Sequence, residues 1–160
     1  MNTVPEKSVE RTWKRVTDAT PEEAQRLLDT LAKAQPFIFA YLMAVDETLY
    51  EDDQRGQLLL IGLVLWEVLR KEAPTSVIPI EQIQTAEEAN LRFLENLDDG
   101  SEMDYVEGIQ KLIATYNQMP LLGAVVEALM EGNEEEPDLA NENLGLAMVH
   151  LKSVIDCLDQ

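Results

Sequence analysis

Apolar residues along this chain recur at intervals of three and four, the period of a helix with one buried side. No segment alternates strictly between turn residues, as a half-buried strand would. The stretch "TPEEAQRLLDTLAKAQ" shows the helical pattern well, with Ala24, Leu27, Leu28, Leu31 and Ala34 on one face. Thr20 stands where an N-cap belongs, Pro21 at the first helical position, and Glu23 where it closes a capping box. Pro36 ends that helix and suits the first turn of the next, read over 36–49. A long apolar helix follows over 53–72, closed by the two prolines of "APTSVIPI".

Helical spacing resumes over 80–98 through Ile80, Ile83, Ala86, Asn90, Phe93, Leu94 and Leu97. In "DDGS", Gly100 reads as a stop and Ser101 as the cap of a further helix, whose face is Met103, Val106, Ile109, Ile113 and Tyr116. Pro120 interrupts it, a short helix runs to about Met130, and "EGNEEEPD" reads as a solvated loop. The last helix carries Leu144, Met148, Leu151, Ile155 and Leu158 at the 4-3-4-3 spacing of a coiled-coil seam. Together these elements predict an all-α fold: a single-domain antiparallel helical bundle of about seven helices over residues 1–160. The greasiest pair, 36–49 and 53–72, is expected as its central buried hairpin. A short basic segment at 1–18, with Val9, Trp13 and Val16 on one side, is expected to pack on that body.

The greasiest passages are "FIFAYLMAV" and Leu58 to Trp66, nine positions each. A membrane span needs about 18 or more. Both therefore read as helices buried on nearly every side. The charge narrows the partners further. With 12 Lys and Arg against 31 Asp and Glu, the chain carries −19. Residues 1–15 hold four bases (Lys7, Arg11, Lys14, Arg15) against Glu6 and Glu10, a net of +2, which leaves −21 on the rest. So acidic a body repels nucleic-acid backbones and anionic membrane surfaces, and suits a basic protein partner. The lone Cys157 cannot form an internal disulfide, and the N-terminal stretch lacks the apolar core of a secretion signal, so a reducing cytoplasm is expected.

Glu67 is the one acid inside the long greasy helix. Facing the core, it would be a desolvated general base or metal ligand. But the row Asp53, Gln57, Leu60, Val64, Glu67, Lys71 is polar at both ends, and Arg70 and Lys71 lie one turn further on, with Lys71 at the four-residue spacing that favours a surface pair. The expectation is that Glu67 emerges at the wet edge of the helix. A metal centre built from Glu67, Glu107 and Glu127 on three helices is the alternative, and would suit a divalent-metal-dependent hydrolase of a nucleotide or phosphoester. Acid pairs three apart number six, roughly what 31 acids among 160 residues give by chance, and no Glu-x-x-His step occurs.

"DETLYEDD" (Asp46, Glu47, Glu51, Asp52, Asp53) and "EGNEEEPD" (with Glu134, Glu135 and Glu136) concentrate the negative charge without EF-hand spacing. They read as solvated linkers and as the faces a basic partner would meet. His150 and Cys157 lie two helical turns apart, too far for a thiolate–imidazole pair, and His150 reads as a half-buried core histidine. No glycine-rich phosphate cradle is present. No cofactor is expected. The sequence points to a non-enzymatic acidic helical protein that binds a basic partner, with homodimerisation through the C-terminal seam or the Val9 stripe as a further expectation.

Overall fold

The computed structural model describes residues 1–44, 52–73, 75–98, 102–131 and 142–159. Its described residues form eight helices and no strand: α1 (Glu6–Thr17), α2 (Pro21–Ala34), α3 (Pro36–Met43), α4 (Asp52–Glu72), α5 (Ile80–Asp98), α6 (Glu102–Thr115), α7 (Met119–Glu131) and α8 (Glu142–Leu158). The Gly100 stop, the Ser101 cap and the expected extension of the third helix through 45–49 lie outside the described residues.

The legible punctuation is where the pattern places it. Thr20 accepts from the Glu23 backbone N–H at 3.2 Å, and the Glu23 carboxylate accepts from the Thr20 N–H at 3.4 Å, both halves of the capping box. Gln35 then leaves helical geometry (φ −136°, ψ 70°) so that Pro36 can open α3. The same glutamine is wholly buried and does a second job that the pattern does not show. Its side chain donates to the Ser76 carbonyl and accepts from the Ile78 N–H, both at 2.9 Å. The extended stretch after α4 is thereby fastened to the α2–α3 elbow, and the buried Ile78 N–H is matched.

α4 packs on α3 and also on α1, α2 and α8. The expectation that both greasy helices are buried on nearly every side is corrected for α3, which buries Ile38 and Leu42 but leaves Phe37 and Met43 42% and 55% exposed, because its neighbours cover only one side. With neighbours on so many sides, α4 buries every residue from Ile61 to Leu69. α8 supplies the facing wall with Met148, Val149, Leu151, Val154, Ile155 and Leu158, each at most 1% exposed, and α5 and α7 flank it. Met148, Leu151, Ile155 and Leu158 among them are the described members of the C-terminal seam, so that part of the seam is spent inside the chain. A satisfied polar network crosses the α5–α8 contact. The Asn90 amide donates to Ser153 Oγ and Asp156 Oδ2, each at 3.0 Å, and Lys152 Nζ donates to Asn90 Oδ1 and Asp156 Oδ2 at 2.8 and 2.9 Å. The Tyr116 hydroxyl donates to Asp156 Oδ1. Such a network fixes the register of the two helices, because a slip would strand several desolvated groups.

Two glycines in α4 test this packing. A Cβ on Gly62 would come within 2.5 Å of Leu42 Cδ1, whereas one on exposed Gly56 would meet nothing within 4 Å. Gly56→Ala should raise stability by about 0.5–1 kcal/mol through helix propensity. Gly62→Ala should lose that gain to overpacking, ending about 1–2 kcal/mol below Gly56→Ala in urea unfolding.

Candidate docking groove and buried ion pair

α1 has three distinct sides. Val9, Thr12 and Val16, at 2, 4 and 2% exposure, face the body. Lys7, Arg11 and Lys14 are exposed. Between these sides run Glu6, Glu10, Trp13 and Thr17, which look across a groove toward α7. Thr12 thus takes the buried place in the stripe, and Trp13 is only half-buried because its ring lines the groove.

The groove is a continuous trough between two helices that run side by side in the same direction. One lobe, of about 340 Å³, lies between Glu6, Val9 and Glu10 and the Met119–Ala124 end of α7, and the other, of about 400 Å³, lies between Trp13, Lys14 and Thr17 and Ala124, Glu127 and Ala128. Val9, Glu10, Ala124 and Glu127 border both. Opposite α1, small residues of α7 alternate with larger ones, Met119, Pro120 and Glu127, and Ile113 of α6 joins them at one end. Gly123 has open space where a Cβ would stand, and Ala124 and Ala128 add single methyl groups. Glu6, Glu10 and Glu127 rim it against the single base Lys14. Met119, 45% exposed, extends the apolar surface at one end.

Two polar clamps hold α1 in place. At its start, Gln118 Oε1 accepts from the Val4 N–H at 3.0 Å while Gln118 Nε2 donates to the Asn2 carbonyl at 3.0 Å and to Asp159 at 2.9 Å. Thr3 donates to the Asn117 carbonyl at 2.7 Å alongside. At its end, Arg15 Nη2 donates to Glu67 Oε2 at 2.8 Å. Arg70 holds the same carboxylate with two bonds, Nε to Oε1 at 3.0 Å and Nη2 to Oε2 at 2.9 Å.

The expectation that Glu67 reaches bulk water is therefore corrected: its side chain is 0% exposed. The row of polar and apolar residues along α4 does face outward at Leu60, but α1 crosses the helix further on and covers it there. Of the two bases one turn further on, Arg70 closes the intrahelical pair. Burial pushes the Glu67 carboxyl upward. The hydrogen bonds and charges of Arg70 and Arg15 outweigh that and hold it below the ordinary carboxylate value. Both oxygens of the ionised carboxylate already accept guanidinium N–H bonds, one on Oε1 and two on Oε2, which leaves little of it free to act as a general base or to bind a metal ion. The two arginines are 44% and 38% exposed, so water hydrates their outer edges while the carboxylate is dry.

The three acids considered as metal ligands are not brought together. Glu67 lies between its arginines, Glu107 is exposed on α6 with Lys111 at 3.9 Å, and Glu127 is exposed on the groove rim. No group of three or more His, Cys, Asp or Glu among the described residues could hold a metal ion. Asp46, Glu47, Glu51, Glu134, Glu135 and Glu136 lie outside the described residues, as do the side chains of Asp52 and Asp53, which begin α4. His150 is half-buried with its ring edge-on to Tyr41 at 5.6 Å, and burial holds it below the ordinary imidazole value against the opposing charge of Glu87. Burial, with the charge of Asp156, pushes the Cys157 thiol up to about 11, far from a reactive thiolate.

Comparison with protein-family models, with curated proteins and with solved structures returned no match. Among the described residues no helix is long and apolar enough to cross a membrane. Arg15, Gln35 and Gln118 are the working residues that the pattern did not single out. Arg15 alone left a trace, as one of the four bases gathered at the start of an acidic chain.

The division of bonds around Glu67 predicts unequal losses. Arg70→Ala removes two charge-assisted bonds and should cost about 3 kcal/mol, and Arg15→Ala removes one and should cost about 1–2 kcal/mol. The pH dependence has a definite sign. Because the folded carboxyl is held below its ordinary value of 4.5, its contribution is complete above that value and is lost as pH falls through the folded one. The stability gap between wild type and Glu67→Gln should therefore stay level from about pH 7 to 5 and shrink below about pH 4 in urea titrations.

Proposed function

We propose that this chain is a non-enzymatic interaction protein whose α1–α7 groove receives a basic amphipathic helix from a partner protein. The observation that carries this reading is a trough whose apolar wall includes small residues, set between acidic rims. Gly123, Ala124, Ala128 and Trp13 offer an apolar bed, and Glu6, Glu10 and Glu127 edge it. A helix laid in a groove buries one apolar stripe and keeps its flanks at the edges, where charge selects the partner. Here the edges suit lysine and arginine. The remainder of the chain adds long-range attraction of the same sign, since it carries −19 overall. The chain's own α1 is an amphipathic helix that rests on the body through an apolar stripe, with basic side chains on its outer side, and this packing of a helix by one stripe supports the reading.

The acidic stretches 46–53 and 134–136 belong to the proposal as the source of that attraction, and the setting proposed is a reducing cytoplasm, where the buried thiol of Cys157 stays reduced. In this reading the partner is a basic protein rather than a nucleic acid, a membrane or a second copy. What supports it is the acidity of the groove's rims and the burial of the described part of the C-terminal seam within the chain.

The chain's two tryptophans make the test direct. Trp66 is buried at 5% exposure, so a Trp66→Phe background leaves Trp13 to report from the groove. Titration with a synthetic leucine–lysine amphipathic helix should shift Trp13 emission at low salt. Glu127→Lys and Gly123→Leu should each weaken binding by about tenfold or more. Glu22→Lys, the same charge change on the exposed start of α2, should weaken it by about threefold at most. Equal losses from Glu127→Lys and Glu22→Lys would leave only diffuse charge attraction and end the groove assignment.

A further inference from the structure

Resting on that reading, we infer that Arg15 and Glu67 are positioning residues for the docking site: their ion pair holds α1 in the place where it forms one wall of the groove. Three observations converge. First, everything the groove shows on that side comes from α1, namely Glu6, Val9, Glu10, Trp13, Lys14 and Thr17. Second, α1 keeps few large side chains in the core. Its body-facing stripe is two valines and a threonine, and a helix of 12 residues standing on so narrow a strip needs further fixing. Third, the polar fixings lie at its two ends. Gln118 and Asn117 hold residues 2–4 before its first turn, and Glu67 holds Arg15 in its last.

The asymmetry of the ion pair suits this role. Glu67 has no exposed surface, and Arg70 supplies a neutralising charge from its own helix. Loss of Arg15 therefore does not strand a bare charge in the core. It frees the end of α1 and leaves the carboxylate paired. Arg15 is nearly half exposed, so its guanidinium can leave for water at modest cost, which makes the α1 end of the groove the end able to open. Salt would loosen that end less than an ordinary surface pair, because the acceptor is dry.

Hydrogen exchange of the full-length protein tests this without a ligand. In Arg15→Ala, amides of Trp13–Thr17 should exchange at least about tenfold faster than in wild type, while amides of α8 keep their wild-type rates. Arg11→Ala, which removes an exposed charge from the same helix, should leave α1 exchange unchanged. Arg15→Lys should restore part of the protection, because an ammonium can still approach the carboxylate. If α1 in Arg15→Ala exchanges at the wild-type rate, the positioning role is overturned, whatever the peptide does. The leucine–lysine helix is then added as a second arm. Where α1 loosens in Arg15→Ala, its affinity should fall by about fivefold or more, and unchanged affinity would overturn the link between the ion pair and docking. Failure of the same peptide to bind wild type, with the exchange result intact, would overturn the groove reading and leave Arg15 and Glu67 as the anchor of α1.

Discussion

A carboxylate removed from water must be neutralised, protonated or hydrated, and the middle of α4 permits only the first. Glu67 sits in a run of nine residues, all buried, so no water reaches its oxygens. Leaving such a group charged and unpaired would cost several kcal/mol. Arg70 reaches it from one turn further along α4, and Arg15 reaches it from α1, 52 residues away in sequence. The local bond is a matter of helical spacing. The distant one ties the N-terminal helix to the centre of the molecule and sets where its outer side comes to rest.

That placement decides the surface the chain presents. With α1 fixed beside α7, the two helices leave a trough rather than a sealed contact, because α7 shows glycine and alanine where larger side chains would close the gap. The acids along the trough give it a sign opposite to that of the outer side of α1. In the proposed reading, a partner's basic helix would lie in the groove beside α1. Arginine pairing also leaves Glu67 poorly placed as a general base or metal ligand, for both its oxygens already accept guanidinium N–H bonds.

Much of the fold was legible because helix termini obey local rules. The Thr20–Glu23 box, the Pro36 restart and the end of α4 at Glu72 are decided within a few residues, and the structure has them where the spacing indicates. The apolar stripe of α8 was equally plain. What stayed hidden depends on residues far apart in the chain. Nothing near Gln35 announces that its amide will close on Ser76 and Ile78, or near Gln118 that it will hold Asn2 and Val4. Glu67 is the sharpest case. Helical spacing pointed to Lys71 and an open edge. The arrival of α1 made that edge an interior, and spacing along one helix carries no information about which helix will cross it. The groove was illegible for the same reason, since Trp13 and Ala124 come to border one lobe only in the folded chain.

The ionisation of Glu67 is where burial and the two arginines pull in opposite directions, and its titration decides between them. Carbon-detected NMR of the side-chain carboxyl, with Glu67→Gln to assign the signal, follows it directly. The account predicts a midpoint below the ordinary carboxylate value of 4.5. A midpoint at or above that value would mean that desolvation wins, that the pair does not hold α1, and that Glu67 is a buried acid available for proton transfer.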